Sequence, residues 1–123
     1  MLTQYTAAAL SARLRELSTP STVQNIPTSG FQEDINSMSA NSAIKLHEIN
    51  SLITQLIATL AYDTYVVAST NNACRNCGGM TTRIYNVISK YVTGTQSHSE
   101  AITRLVSAID ELSSIINLEI NPS

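Results

Sequence analysis

An all-α protein is what this sequence predicts: an antiparallel helical bundle of about four helices, one of them long, open to completion by oligomerisation. Three observations point there. Apolar residues recur at spacings of three and four through most of the 123-residue chain. No stretch of any length alternates apolar and polar residues as a half-buried strand would. Proline, glycine and polar clusters fall between the periodic stretches and divide them.

The first stretch runs from Thr3 to Leu17, with Ala7, Leu10, Leu14 and Leu17 on one face. Thr3 is a suitable N-cap, and Pro20 stops the helix. Residues 1–17 read as an N-terminal helical arm and 18–30 as a linker or loop. That loop either frees the arm to dock on a neighbour or forms a long surface connection within one bundle. Residues 31–121 form the bundle itself. Ser29 and Gln32 fit a capping box, which predicts a short helix from Phe31 to about Met38.

The main helix starts near Ser39 or Ser42 and continues to about Thr70. Its seam is Leu46, Ile49, Ile53, Leu56, Leu60, Asp63 and Val67, alternating steps of three and four as coiled-coil-like packing requires. Leu52, Ile57 and Val66 widen the stripe, so the helix is covered on more than one side. From Ser42 the helix is about 43 Å long, at ~1.5 Å per residue. A third helix spans Thr81 to Val92 with Ile84, Val87, Ile88 and Tyr91 inward, and Gly94 caps it. Ser97 and Glu100 make a second capping box. It opens a last helix whose seam is Ile102, Leu105, Ile109, Leu112 and Ile116, ended by Asn121-Pro122.

Composition favours packing over chemistry. Hydrophobic residues are 43% of the chain, enough for one domain with a sizeable core, while charged residues are only 13%. Ser, Thr, Asn and Gln fill 45 positions, so the surface is polar but largely uncharged. Such a surface loses little on being covered, because few ions need desolvating. The net charge is −2, yet no acid lies between Thr64 and Ser99, where Arg75, Arg83, Lys90 and His98 stand. Three permanent cations are too few for a nucleic-acid footprint. No signal peptide and no uninterrupted apolar run of membrane-spanning length occurs, so the expected setting is intracellular or within an assembled particle.

Chemistry concentrates at one turn: Cys74-Arg75-Asn76-Cys77-Gly78-Gly79, at 74–77 between the second and third long stretches. It holds both cysteines of the chain. Zinc demands four ligands and this turn offers two. His47 lies about 35 Å back along the helix, at ~1.5 Å per residue, and His98 stands at the far end of the third helix. A zinc site would therefore draw Cys74 and Cys77 from two copies. The arrangement resembles the zinc hook, in which a Cys-x-x-Cys at a coiled-coil apex joins two molecules. That resemblance covers the motif and its place between helices, and it implies a zinc ion shared between two chains. A redox role needs the first cysteine at a helix N-terminus, whereas Cys74 stands well before Thr81.

Other candidates are weaker. His47-Glu48 lacks the second histidine of a metalloprotease helix, since Ser51 stands there. Asp63 interrupts the apolar seam, either fixing register or facing water. Asp110 and Glu111 return to the height of the cysteine turn if the last helix runs straight. There they could meet Arg75 or Arg83, or form a solvated acidic face. No nucleophile triad or phosphate-binding loop is present, and no small-molecule substrate is evident.

These residues predict a non-enzymatic structural or assembly protein, without a cofactor. Its seams would bind copies of itself or larger structural proteins, as in a minor virion component. The alternative is a zinc-linked dimerisation or thiol redox module built on Cys74 and Cys77.

Overall fold

The computed structural model describes residues 2–27, 30 and 37–120. They form five helices: α1 (Leu2–Leu17), α2 (Ser39–Thr70), α3 (Gly79–Val92), α4 (His98–Ser107) and α5 (Ile109–Ile120). Short 3-10 turns occupy Ser21–Gln24 and Ala73–Asn76, and no strand occurs among the described residues. The all-helical bundle expected from the periodicity is therefore what the chain adopts.

Boundaries differ in four places. α1 starts at Leu2, which puts Thr3 inside the first turn rather than at its cap. The capping box at Ser29 and Gln32, and the helix expected from Phe31, fall outside the described residues. Of that helix Ser37 and Met38 are described; they are not helical, and Met38 immediately precedes α2. α3 begins at Gly79, two residues ahead of Thr81. The last helix is divided at Ala108, whose N–H bonds to Leu105 O at 3.0 Å, three residues back; the ladder resumes with Leu112 N to Ala108 O at 3.0 Å. Alanine is the best helix former, so nothing local marks this break. It sits where both Leu105 and Ala108 are fully buried, and it lets α4 pack on α2 and α3 while α5 follows α3.

The core is formed by Ala58 and Tyr62 of α2, Ile88 of α3, Ala101 and Leu105 of α4, and Leu112 of α5. Ala58 and Ala101 have no exposed surface, and side chains this small let α2 and α4 approach closely. α2 and α3 run antiparallel: Tyr65 meets Tyr85 with ring centroids 5.1 Å apart, and its hydroxyl lies 3.4 Å from that of Ser89. Buried Thr59 satisfies its hydroxyl by donating to Gln55 O at 2.8 Å. α1 lies along α2 of its own chain, tied by Arg13 to Glu48 at 2.8 Å and by Lys45 Nζ to Thr19 O at 2.7 Å. These ties are exposed, so water and salt screen them.

The α2 seam is not the core face. Leu46, Ile53, Leu60 and Val67 are exposed, Leu46 and Leu60 by 57% and 67%. Ile49, Leu56 and Asp63 are half-buried. The inward face is instead the Ala58–Thr59–Tyr62 side. An apolar stripe this broad wraps the helix, and periodicity does not say which edge the partner helices take. In α4 and α5 the seam is better placed. Leu105 and Leu112 are buried, Ile102 and Ile109 half-buried, and Ile116 exposed. α2 is also, by length and composition alone, able to cross a membrane: an 18-residue window reaches a mean hydropathy of 1.2. It packs here against α1, α3 and α4.

Candidate functional site

The cysteine tip is built by a chain reversal. Asn72 takes a left-handed conformation, φ 49°, as asparagine readily does, and turns the end of α2 into the Ala73–Asn76 turn. Cys74 and Cys77 are free thiols, both half-buried. The Cys77 thiol donates to Ala73 O at 3.7 Å. Together they line a cavity of about 110 Å³ with Tyr65, Ile84, Tyr85 and Ile88. The Cys77 hydrogen bond first, then burial, pushes the Cys74 thiol above its ordinary range. Burial, with Tyr65 and the thiols nearby, raises the Tyr85 hydroxyl as well. Among the described residues no three His, Cys, Asp or Glu side chains gather to hold a metal.

A second cluster joins α1, α2 and α4. The Tyr62 hydroxyl lies 2.5 Å from His98 Nδ1, with the two rings edge-on at 5.4 Å. Tyr62 is buried and His98 exposed. Ser97 positions His98 by capping α4, its hydroxyl accepting from Glu100 N at 3.1 Å. The Glu100 carboxylate accepts from Gln96 N at 3.0 Å, one residue ahead of the cap. Asp63 stands beside this pair in a cleft of about 370 Å³ that Leu2 and Thr3 also line. Its half-buried place is thus the joint between α1 and α4. Tyr62 escaped the sequence reading because its partner lies 36 residues away and no local spacing reports such a pair.

The remaining candidates scatter. His47 is exposed on α2 and Asp110 exposed on α5. Glu111 does not reach the cysteine tip. It accepts from the Tyr91 hydroxyl at 2.8 Å and lies 3.9 Å from Lys90 Nζ. The break at Ala108 is the reason: it sets the start of α5 against the end of α3, where a straight helix would have carried Glu111 towards the tip. A third feature is an open apolar groove of about 480 Å³ between α2, α3 and α5, with Leu60, Ile84, Ile109 and Ile116 among its walls.

Comparison with known proteins adds what the geometry lacks. Residues 1–90 match the family model of aromatic amino acid lyases, which takes in α1, α2, the cysteine tip and most of α3. The probable histidine ammonia-lyase of Thermoplasma volcanium is 48% identical over 58 residues, 47% of this chain and 12% of the relative. The histidine ammonia-lyase of Chloroflexus aurantiacus is 41% identical over 58 residues, 47% of this chain and 11% of the relative. That of Deinococcus radiodurans is 49% identical over 49 residues, 40% of this chain and 9% of the relative. The chain thus spans about an eighth or less of the length of these curated relatives. No solved structure matches the chain.

These matches overturn the expected function. A family of enzymes replaces the non-enzymatic structural or virion subunit, and with it the zinc-linked dimerisation or thiol redox module. The expectation that no small-molecule substrate is involved gives way too, since the relatives are named for one. Low charge and broad apolar seams suit a subunit covered by its copies, but they equally suit a segment covered by the rest of an enzyme. Composition does not separate those two cases.

Proposed function

The chain belongs to the aromatic amino acid lyase family, and from that premise we propose that it serves an ammonia-lyase acting on an aromatic α-amino acid, with L-histidine the preferred substrate. The observation that carries this reading is the family match over residues 1–90, joined by relatives named as histidine ammonia-lyases. In such an elimination the Cα–N bond and a Cβ–H bond break, ammonia leaves, and a conjugated acid remains. The part taken by this chain is helical scaffold. α2 supplies a long rigid rod, α1 and α4 brace it through the Asp63, Tyr62 and His98 joint, and α3 returns from the cysteine tip.

The exposed stripe of α2 supports the reading. Leu46, Ile53, Leu60 and Val67 recur every seven residues and carry no charge, the pattern of a face that other helices cover. Its partners here are the other helices of the lyase, in place of the structural proteins first expected. An intracellular setting accords with two thiols left free.

The test is a chimera. The 58-residue segment of the Thermoplasma volcanium relative that matches this chain is replaced by the corresponding residues of this chain, and ammonia release from L-histidine is followed with the ultraviolet absorbance of the conjugated acid. Retained turnover, with L-phenylalanine and L-tyrosine poorer substrates, is the expected result. A chimera that keeps the parent's helicity and assembly yet releases no ammonia from any of the three overturns it.

A further inference from the structure

α1 is fastened to the bundle at one end. Leu17 and Ser21, the second just past the helix, are its buried anchor. The polar ties stand close by: Arg13 meets Glu48 at 2.8 Å, and Lys45 Nζ donates to Thr19 O at 2.7 Å. The leading half differs. Among the described residues no hydrogen bond, ion pair or ring contact joins residues 2–12 to another element. The hydroxyls of Thr6 and Ser11 donate within the helix, to Leu2 O and Ala7 O. Leu2 and Tyr5 are exposed, and Ala7 and Leu10 are half-buried. Leu2 and Thr3 line two clefts that flank His98. One, of about 400 Å³, is shared with Gln55, Ile102 and Val106. The other is the cleft beside Tyr62 and Asp63.

We infer that the leading half of α1 is a strap: it opens while the anchored half and the rest of the bundle stay folded, and its opening uncovers Tyr62. A stretch with no polar ties and little buried apolar surface is the cheapest part of a fold to open. Lifted from α2 it also unwinds, because a helix this short is marginal alone in water. The trailing half resists, since opening there would expose Leu17 and break the ties of Arg13 and Thr19. Tyr62 is the group the strap covers. Its side chain is buried, its hydroxyl lies 2.5 Å from His98 Nδ1, and it lines the cleft that Leu2, Thr3 and Gln4 border.

The inference rests on nothing in the lyase reading, and its test uses no activity. Amide hydrogen exchange of the full chain, followed by NMR, separates local opening from global unfolding. Protection at residues 6–10 is expected to lie at least about a hundredfold below that at 59–62, and to respond weakly to low denaturant. Leu105→Ala should lower protection at 59–62 and leave 6–10 unchanged, because the core is folded whether the strap is open or closed. Ala8→Gly, at an exposed helical position, should lower protection at 6–10 by about fivefold. Nitration of Tyr62 by tetranitromethane, read by mass spectrometry, should speed up by the same factor. Tyr65, which faces Tyr85 of α3, is the internal control and should not change. Protection at 6–10 that equals that at 59–62, or falls with it in Leu105→Ala, overturns the strap. So does nitration of Tyr62 that Ala8→Gly leaves unaltered.

Discussion

At the scale of single residues, burial decides what a substitution costs. Leu105 has no exposed surface and sits at the centre of the core cluster, whereas Leu60 is 67% exposed. Leu105→Ala should lower unfolding free energy by about 2–5 kcal/mol, the range for a buried leucine that leaves a cavity. Leu60→Ala should stay within ~0.5 kcal/mol in the same chain. Chemical denaturation of the two variants reads both, and similar losses would show that the inward face of α2 is misassigned. Tyr91 gives a titration counterpart. Its hydrogen bond to Glu111 comes first, then burial and the same carboxylate's charge, and together they hold the phenol above its ordinary range. A raised pKa favours the protonated form in the fold. The stability from this contact is therefore complete below the unfolded tyrosine value and is lost as pH rises through the folded one. Glu111→Gln should bring the Tyr91 titration back towards that of an ordinary tyrosine, followed by ultraviolet difference absorbance. An unchanged titration would remove Glu111 as the cause.

At the scale of elements, the helices were legible and some of their ends were not. Periodicity located α2, α3 and the start of α4, because amphipathic spacing repeats over many residues and survives local irregularities. Ser97 was legible as a cap because its side chain has one obvious use, accepting from Glu100 N. Ser97→Ala should cost about 1 kcal/mol, and as the cap also sets the orientation of His98, loosening it should weaken the bond to Tyr62. A double-mutant cycle between Ser97→Ala and Tyr62→Phe, read by denaturation, should show coupling; strict additivity would mean that the cap and the pair act separately. Gly94 was legible for a similar reason: it follows α3 with φ +81°, where a side chain is strained. The break at Ala108 was not legible, since alanine gives no local signal and burial on two sides creates the bend. The cysteine tip was placed correctly as a turn, but which way its thiols lie depends on Tyr65 and Tyr85, residues of two different helices.

At the scale of the whole molecule, the sequence showed how much apolar surface there was without showing what would cover it. The same weak charge and long seams that suggested a particle subunit belong to a member of the lyase family, because membership lies in residue identities over residues 1–90 and not in their period. The structure separates the seam into an inner and an outer part, and that separation is testable. Leu46, Ile53 and Leu60 contribute little to the fold of this chain because they already face solvent. Replacing all three with serine should leave its own denaturation midpoint nearly unchanged, within ~0.5 kcal/mol per site. Placed in the chimeric lyase, the same triple replacement should cost far more. Each side chain would then lose about 1.5–3 kcal/mol of burial against the covering helices. Turnover and assembly should fall together, as measured by ammonia release and by size-exclusion chromatography of the same samples. A triple variant that destabilises the isolated chain as severely as Leu105→Ala would return the seam to the core of this bundle. One that leaves the chimera fully active and assembled would show that nothing in the lyase covers this face. The exposed stripe would then be surface in the complete enzyme, and the scaffold role assigned to α2 would rest on its inner face alone.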